Sequence, residues 1–424
     1  MGWISAGLFV ILALAGVPVA LIFLAIIAAW VVADPAILDV VAAQRLVMGT
    51  QSFPLLAVPL FILTGELMNI SGISHRVTRF ALALTRNYSG GLAKTNVVLS
   101  TLLSGMSGSA NGDAAMQSKI LVPQMIRNGY PAAFSAAVTA SSALIAPLIP
   151  PGIGLILFGF VTDTSIGALF AAAILPGFLL ASALLVLVHF QCRRNGWDPA
   201  RETIEDDVPL GVAFLHSLPA ILMPVLIIVG IRGGVFTPSE AGGLAVAYTL
   251  VFLVFYRETS LGELVEALRS TIVTSAAIIL ILAASATLTW VLTFNHVPQA
   301  IGESLLSVTD DRTVMLILLS LLLLVAGIFI EGTALILVLA PMLMPVAEAL
   351  GVSPVHFGIV FVFMIHMGGI TPPVGTVMFT TCAITGVSIG QFSKAIIPFL
   401  LVFLLVALIL IFVPAVSTLL GGSG

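Results

Sequence analysis

Charge is what this sequence has least of. Of 424 residues only 8% are Asp, Glu, Lys or Arg, 60% are hydrophobic, and mean hydropathy is +1.22, whereas soluble domains carry roughly 25% charged residues. A water-facing surface cannot be built from that inventory. A net charge of −4 spread over so few groups excludes a nucleic-acid partner. Cysteine is also scarce: Cys192 and Cys382 lie far apart, without ligand-like spacing, which excludes a disulfide scaffold and a thiolate metal centre. No cofactor is expected. The first apolar stretch lacks a positively charged start and a small-residue cleavage end, so it reads as a retained helix rather than a removed signal.

What is there is apolar sequence in long runs. A membrane-spanning helix needs about 20 predominantly apolar residues. Qualifying runs cover 4–33, 54–71, 131–163, 166–191, 211–231, 238–256, 271–295, 313–347, 355–385 and 392–418, leaving no soluble domain. Trp3, Trp30, Trp197 and Trp290 fall near segment ends, where interfacial anchors belong. The expected class is an all-α polytopic membrane protein.

The few cations are segregated. If 91–127 and 313–350 are hairpins that enter and leave on one side, then Arg76, Arg79, Arg86, Lys94, Lys119, Arg127, Arg193, Arg194, Arg201, Arg257, Arg269 and Lys394 share one face. Arg45, Arg232 and Arg312 fall on the other. The positive-inside rule makes the richer face cytoplasmic, with Met1 inside and Gly424 outside.

The two halves resemble each other. Leu-Val-Pro at 121–123, Ile-Pro-Pro-Gly-Ile-Gly at 149–154, Ser-Ile-Gly at 165–167 and Ile-Leu-Pro-Gly-Phe-Leu-Leu at 174–180 recur in order as Leu-Ala-Pro at 339–341, Thr-Pro-Pro-Val-Gly at 371–375, Ser-Ile-Gly at 388–390 and Ile-Ile-Pro-Phe-Leu-Leu at 396–401. Each half also has a short charged amphipathic stretch, 73–88 and 259–270, suited to the membrane surface. The extra span 271–295 turns the second half over, giving an inverted repeat. The expected first repeat, 1–207, holds scaffold spans within 4–71, the surface helix 73–88, a hairpin at 91–127, a broken helix at 131–163 and a span at 166–191. The second, 208–424, holds scaffold spans within 211–256, the surface helix 259–270, the span 271–295, a hairpin at 313–350, a broken helix at 355–385 and a span at 392–418.

The chemistry concentrates where apolar runs are interrupted. Ser104 through Asp113 separates two short helices, and 147–154 interrupts 131–163. Gly327 through Thr333 and Gly368 through Gly375 do the same in the second half. Non-helical backbone at membrane depth persists only where protein or a cavity satisfies its polar groups. Pairing a hairpin tip with a broken helix brings helix N-termini, carbonyls and hydroxyls together, a setting that dehydrates an alkali cation and holds a carboxylate. Asp113 and Glu331 suit either a helix cap or a cation ligand. His366 suits substrate binding, proton carriage or neutral packing. Glu66 and Glu240 lie nearer span ends, where capping or snorkelling is expected.

These pieces resemble the large membrane subunit of the tripartite ATP-independent periplasmic (TRAP) transporters. The matching residues are Ser107-Gly-Ser-Ala through Asp113, Pro123 through Tyr130, Ile149-Pro-Pro, Thr237-Pro-Ser-Glu-Ala-Gly242, Glu331 with Pro341 and Pro345, Gly351 through Gly358, and Gly368 through Gly375. The resemblance implies a sodium-driven importer in the bacterial inner membrane, with two re-entrant hairpins and two broken helices in an elevator-type transport domain that slides on a fixed scaffold. It implies as partners a small four-helix membrane subunit and a periplasmic binding protein that captures a carboxylate-bearing small organic anion such as a dicarboxylate. Carried over by position, Na+ ligands fall at Ser107, Gly108, Asn111, Asp113, Gly332, Thr333, Gly368, Thr371 and Pro373. Substrate contacts fall at Ser109, Pro150, Pro151, Glu331 and His366. No catalytic residue is implied. Two alternatives stand beside this one: a one-subunit sodium/dicarboxylate symporter, and an intramembrane serine protease suggested by Gly105-Met106-Ser107-Gly108, whose only histidine well inside a span is His366.

Overall fold

The computed structural model describes residues 2–34, 37, 39–51, 53–197 and 208–422, and among them every regular element is helical. The boundary expected at 207/208, the cation Arg201 and the terminal residues Met1 and Gly424 lie outside the described residues, as does the side chain of Ser107.

The run 4–33 does not cross as one span. It forms α1 (Gly2–Leu14) and α2 (Val19–Ala33), folded back on each other through Gly16, whose φ of 76° suits glycine, and Pro18, which ends the first helix's ladder. The rings of Phe9 and Phe23 stack at 6.1 Å, and Trp30 Nε1 donates to Ser5 Oγ at 2.7 Å across 25 residues. Trp30 is therefore buried in a packing role rather than anchored at an interface. A short helix not anticipated from the sequence, α3 (Asp39–Met48), lies against α13, where a methyl group at Gly49 would touch Ala286 and Ala283.

Next come α4 (Ala57–Ile70) and α5 (Ile73–Thr85), joined at a 69° bend by Gly72 in the left-handed conformation. A helix does occupy most of the segment 73–88: it is α5, with charged and apolar residues on separate faces. The hairpin expected at 91–127 is α6 (Gly91–Ser107) and α7 (Ala110–Arg127). The broken helix is α8 (Ala132–Ala143) and α9 (Ile153–Val161), followed by the long α10 (Ile166–Asn195).

In the second half, α11 (Leu210–Arg232) and α12 (Pro238–Tyr256) are span-length. The expected surface helix 259–270 and span 271–295 are one continuous helix, α13 (Leu261–Phe294) of 34 residues. No Pro or Gly interrupts 263–295, and a capping box formed by Ser260 and Glu263 starts the helix at the point chosen for the surface segment. A second unanticipated short helix, α14 (Val297–Leu306), follows. The second hairpin is α15 (Arg312–Phe329) and α16 (Gly332–Ala349), the second broken helix α17 (Pro354–Gly369) and α18 (Thr376–Thr385), and the chain closes with α19 (Ile389–Phe412) and α20 (Ala415–Thr418). By length and composition, seven of the described helices can cross a membrane.

The packing partners correspond between halves. In each half the hairpin packs on the first segment of its own broken helix, α7 on α8 and α16 on α17. The hairpins also exchange partners across the halves, α7 against α18 and α16 against α9, and the long helices do likewise, α10 against α17 and α19 against α8. Phe158, Phe357 and Phe361 fill the shared core, with ring centroids 5.4–6.3 Å apart. Many side chains on α11 and α12, among them Val229, Val251 and Phe255, face outward, as lipid-facing helices require.

One polar latch joins α4 and α5 to the α12–α13 connection. Arg76 makes two hydrogen bonds to Glu258, at 2.7 and 3.2 Å, and its guanidinium lies 3.6 Å from the Tyr256 ring centroid, while Thr259 donates to the Ile70 carbonyl at 2.8 Å. The Arg76 hydrogen bond holds the Glu258 carboxyl below its ordinary range. Because the folded state lowers this carboxyl's proton affinity, the pair's stabilisation is present above the unfolded carboxylate range and is lost as pH falls through the lowered native value. Glu258→Gln is expected to cost no more than about 1 kcal/mol at neutral pH, since the pair is partly exposed, and nothing in strong acid. Thermal unfolding in detergent at two pH values checks this; an equal deficit at both would rule out the ion pair as its cause.

Candidate functional site

The interruptions in the four apolar runs meet. Gly108 ends α6 with φ +56° and lets its backbone sit directly on the break of the first broken helix: a methyl group there would lie 2.6 Å from the Pro151 carbonyl oxygen and 3.1 Å from the Ile153 nitrogen. Ser109 then caps α7, its Oγ accepting from the Gly112 N–H at 3.3 Å. In the second hairpin Ile330 is extended and Glu331 caps α16, accepting from the Ala334 N–H at 3.3 Å and the Thr333 hydroxyl at 2.9 Å. Gly327 and Gly368 bring α15 and α17 into backbone contact, so tightly that a methyl on either would overlap the other helix's main chain. The peptide bonds Pro150–Pro151 and Pro372–Pro373 are cis.

Between these breaks lies a cavity of about 430 Å³. Its wall includes the first residues of four helices: Ala110 to Asp113 of α7, Ile153 and Gly154 of α9, Gly332 and Thr333 of α16, and Thr376 and Val377 of α18. Each helix start carries unpaired N–H groups and the positive end of the helix dipole. The charged or titratable side chains in the wall are Glu66, Asp113, Glu331 and His366, and the described lining contains no Lys or Arg. His366 donates from Nδ1 to the Val362 carbonyl at 2.6 Å, since a carbonyl can only accept. That leaves Nε2 toward Gly332, where an added methyl would meet it at 3.3 Å.

Of the expected site residues, Gly108, Ser109, Asn111, Asp113, Glu331, Gly332, Thr333 and His366 line the cavity. Pro150, Pro151, Gly368, Thr371 and Pro373 do not: they build the breaks behind it, Pro151 seating Gly108 and Gly368 seating Gly327. The second break contributes Gly369 and Thr376 to the wall in their place. Thr371 Oγ1 instead donates to the Met367 carbonyl at 2.8 Å.

The fourth side of the cavity was not read from the sequence. It is formed by Ile62, Gly65, Glu66 and Asn69 of α4 and by Thr274, Ala277, Ile278 and Ile281 of α13. Both sets have the spacing i, i+3, i+4, i+7 of a single helical face, the available signal. Glu66 joins the two helices by accepting from Ser270 Oγ at 2.7 Å, so it belongs to the cavity wall rather than to a span end. Glu240 does cap α12, in a capping box with Thr237. A second cavity of about 720 Å³ contains none of the expected residues; Ser165 and Thr237 in its wall cap α10 and α12.

Residues 6–416 match the family model of the DctM component of the tripartite ATP-independent periplasmic transporters. The chain belongs to that family. It is 39% identical to the uncharacterized protein YgiK of Salmonella typhimurium over 90% of this chain and 87% of that protein. It is 38% identical to the sialic acid TRAP transporter large permease protein SiaM of Vibrio cholerae over 88% of this chain and 87% of that one. Among solved structures, the YdaH transporter of Alcanivorax borkumensis shares the fold, with a TM-score of 0.62 at 16% identity over 87% of this chain and 86% of that one. This TRAP permease chain is thus a multi-pass membrane protein with a transporter fold.

Proposed function

We propose that this chain is the large permease subunit of a sodium-coupled importer that moves a carboxylate-bearing small organic anion across the bacterial inner membrane. The observation that carries this reading is the convergence of four helix N-termini on one cavity without a basic side chain among its described lining residues. Helix ends attract an anion, while Glu66, Asp113 and Glu331 repel it unless cations arrive with it. The breaks supply mainly carbonyl, amide and hydroxyl oxygens, which suit a hard cation. Cation ligands come from Ser107, Gly108 and Asn111 at the first tip, with Asp113 as counter-charge behind them, and from Gly332 and Thr333 at the second, with Gly368, Thr371 and Pro373 in the adjoining break. Ser109, Glu331 and His366 face the substrate, and Pro150 and Pro151 shape the break behind it.

The exchanged packing of the hairpins and broken helices supports an inverted repeat, with α6 to α10 and α15 to α19 as a transport domain and α4, α11, α12 and α13 as scaffold. Because α4 and α13 supply only one wall of the cavity, sliding the transport domain along that wall carries the site from one face to the other, the elevator motion. The basic face is cytoplasmic by the positive-inside rule. Family membership supports a small membrane subunit and a periplasmic binding protein as partners, and the named substrate of the sialic acid relative supports a carboxylate cargo. Reconstituted with both partners in proteoliposomes, the permease is expected to take up substrate only with an inward sodium gradient and only with the binding protein present. Uptake unchanged when sodium is replaced by potassium would refute cation selectivity, and uptake without the binding protein would instead favour a one-subunit symporter.

A further inference from the structure

One carboxylate in the cavity belongs to neither the hairpins nor the broken helices. Glu66 lines it from α4, with Asn69 on the same helical face, and shares it with Asn111, Thr333 and His366 of the tips and breaks. Glu66 is half-buried and Asn69 exposed. The Glu66 Oε1 accepts from Ser270 Oγ at 2.7 Å, which fixes the side chain against α13. That partner is neutral. Of the neighbouring cations, Arg76 is engaged by Glu258, and Arg269, the residue before Ser270, has a side chain 75% exposed and 3.8 Å from Glu266. The charge of Glu66 is thus left to the cavity, and a space of about 430 Å³ holds too little water and salt to screen one wall from another.

Glu66 also sits at one end of its helix. It lies one turn before α4 finishes at Ile70, whose carbonyl accepts from Thr259, and α5 follows at once with Arg76 and Arg79. This is the arginine-rich face, cytoplasmic by the positive-inside rule. The site therefore stands here against the inner end of the scaffold wall. When the transport domain slides outward, the tips move away from Glu66, because α4 does not travel with them.

We infer that Glu66 is a release residue fixed in the scaffold: it opposes the substrate's carboxylate only when the site is presented to the cytoplasmic face, and so makes the anion's affinity lower inside than outside. This rests on the proposed carboxylate cargo and on α4 as scaffold. Repulsion on one side supplies no energy, which comes from the cation gradient. It weakens the hold on the anion once the cations have left, and so shortens its stay.

The test is carried out in proteoliposomes holding the permease with both partners. Dicarboxylates, keto acids and sugar acids, among them succinate, pyruvate and sialic acid, are offered to the wild type, and one that it accumulates serves as probe. Two quantities are then read: the internal probe concentration that halves uptake, and the external concentration of probe-loaded binding protein that gives half-maximal uptake. In Glu66→Gln, which keeps an oxygen for Ser270 but removes the charge, the internal value is expected to fall about fivefold or more and the external value to stay within about twofold. Glu66→Ala, a second neutral variant, is expected to behave alike. Glu66→Asp, which restores the charge, and Ser270→Ala, which removes only the hydrogen bond, are expected to keep the wild-type internal value. An unchanged internal value in both neutral variants, or the same fall in Ser270→Ala, overturns the role of Glu66 and leaves the import reading intact. Equal falls on both sides overturn it too, and with it the assignment of α4 to a fixed scaffold. If the wild type accumulates none of these acids, the carboxylate-import reading itself fails, and the inference falls with it.

Discussion

Replacing Gly368 with alanine is expected to lower the thermal stability of the purified protein and to abolish uptake. The added methyl would overlap the main chain of Gly327 and Ile328. Backbone cannot swing aside as a long side chain can, so α15 of the second hairpin and α17 of the second broken helix must separate where they touch. Overpacking of this kind costs about 1–3 kcal/mol and occasionally more, and here the displacement also moves Gly369 and His366 in the cavity wall. Gly243→Ala provides the contrast. It sits inside α12 with nothing within 4 Å, and is expected to be neutral or mildly stabilising because alanine narrows the unfolded ensemble. Unfolding midpoints and uptake for the pair decide the matter; equal midpoints would mean that the two helices are not in backbone contact.

Gly108→Ala is expected to have the second-largest effect, falling on function more than on folding. The residue is held at φ +56°, where an L side chain costs roughly 1–2 kcal/mol. Its methyl would press on the Pro151 carbonyl, a fixed part of the first break. Together these raise the sodium concentration needed for half-maximal uptake by at least about tenfold, each factor of ten corresponding to 1.4 kcal/mol, while the protein still inserts in the membrane. Sodium titrations of uptake read this directly. An unchanged half-maximal concentration would remove the first tip from the cation site.

These sites were legible in the sequence because a membrane makes interruptions conspicuous. Glycines, paired prolines and Asp113 or Glu331 inside apolar runs are costly unless a cavity repays them, so the two hairpins and two broken helices appear where the sequence indicated. The fold-back at Gly16-Val17-Pro18 was not legible, since a single Gly and Pro in an apolar run equally describe a kink, and it takes the Phe9–Phe23 and Trp30–Ser5 contacts to distinguish the two. The seam expected at 270/271 failed for the opposite reason: charge changes there, but no residue breaks the ladder, so α13 continues. Nor did the sequence place Glu66 in the cavity, because that depends on α4 meeting α13, a tertiary fact without a local signature. Pro150, Pro151 and Thr371 build the breaks behind the cavity and do not line it, because position in a motif does not separate the residues that bend a chain from those that face its cavity.

The uninterrupted course of α13 has a mechanical consequence. At about 1.5 Å per residue its 34 residues extend for roughly 51 Å, against a hydrocarbon core of about 30 Å. Its first third, carrying Glu263, Glu266 and Arg269, therefore stands among lipid headgroups and water, while Ser270 and Thr274, one turn further, already touch Glu66 and the cavity. A rod with no hinge passes torque along its length. Whatever grips its charged end, a lipid headgroup or a neighbouring subunit, tilts the face of α13 that lines the cavity.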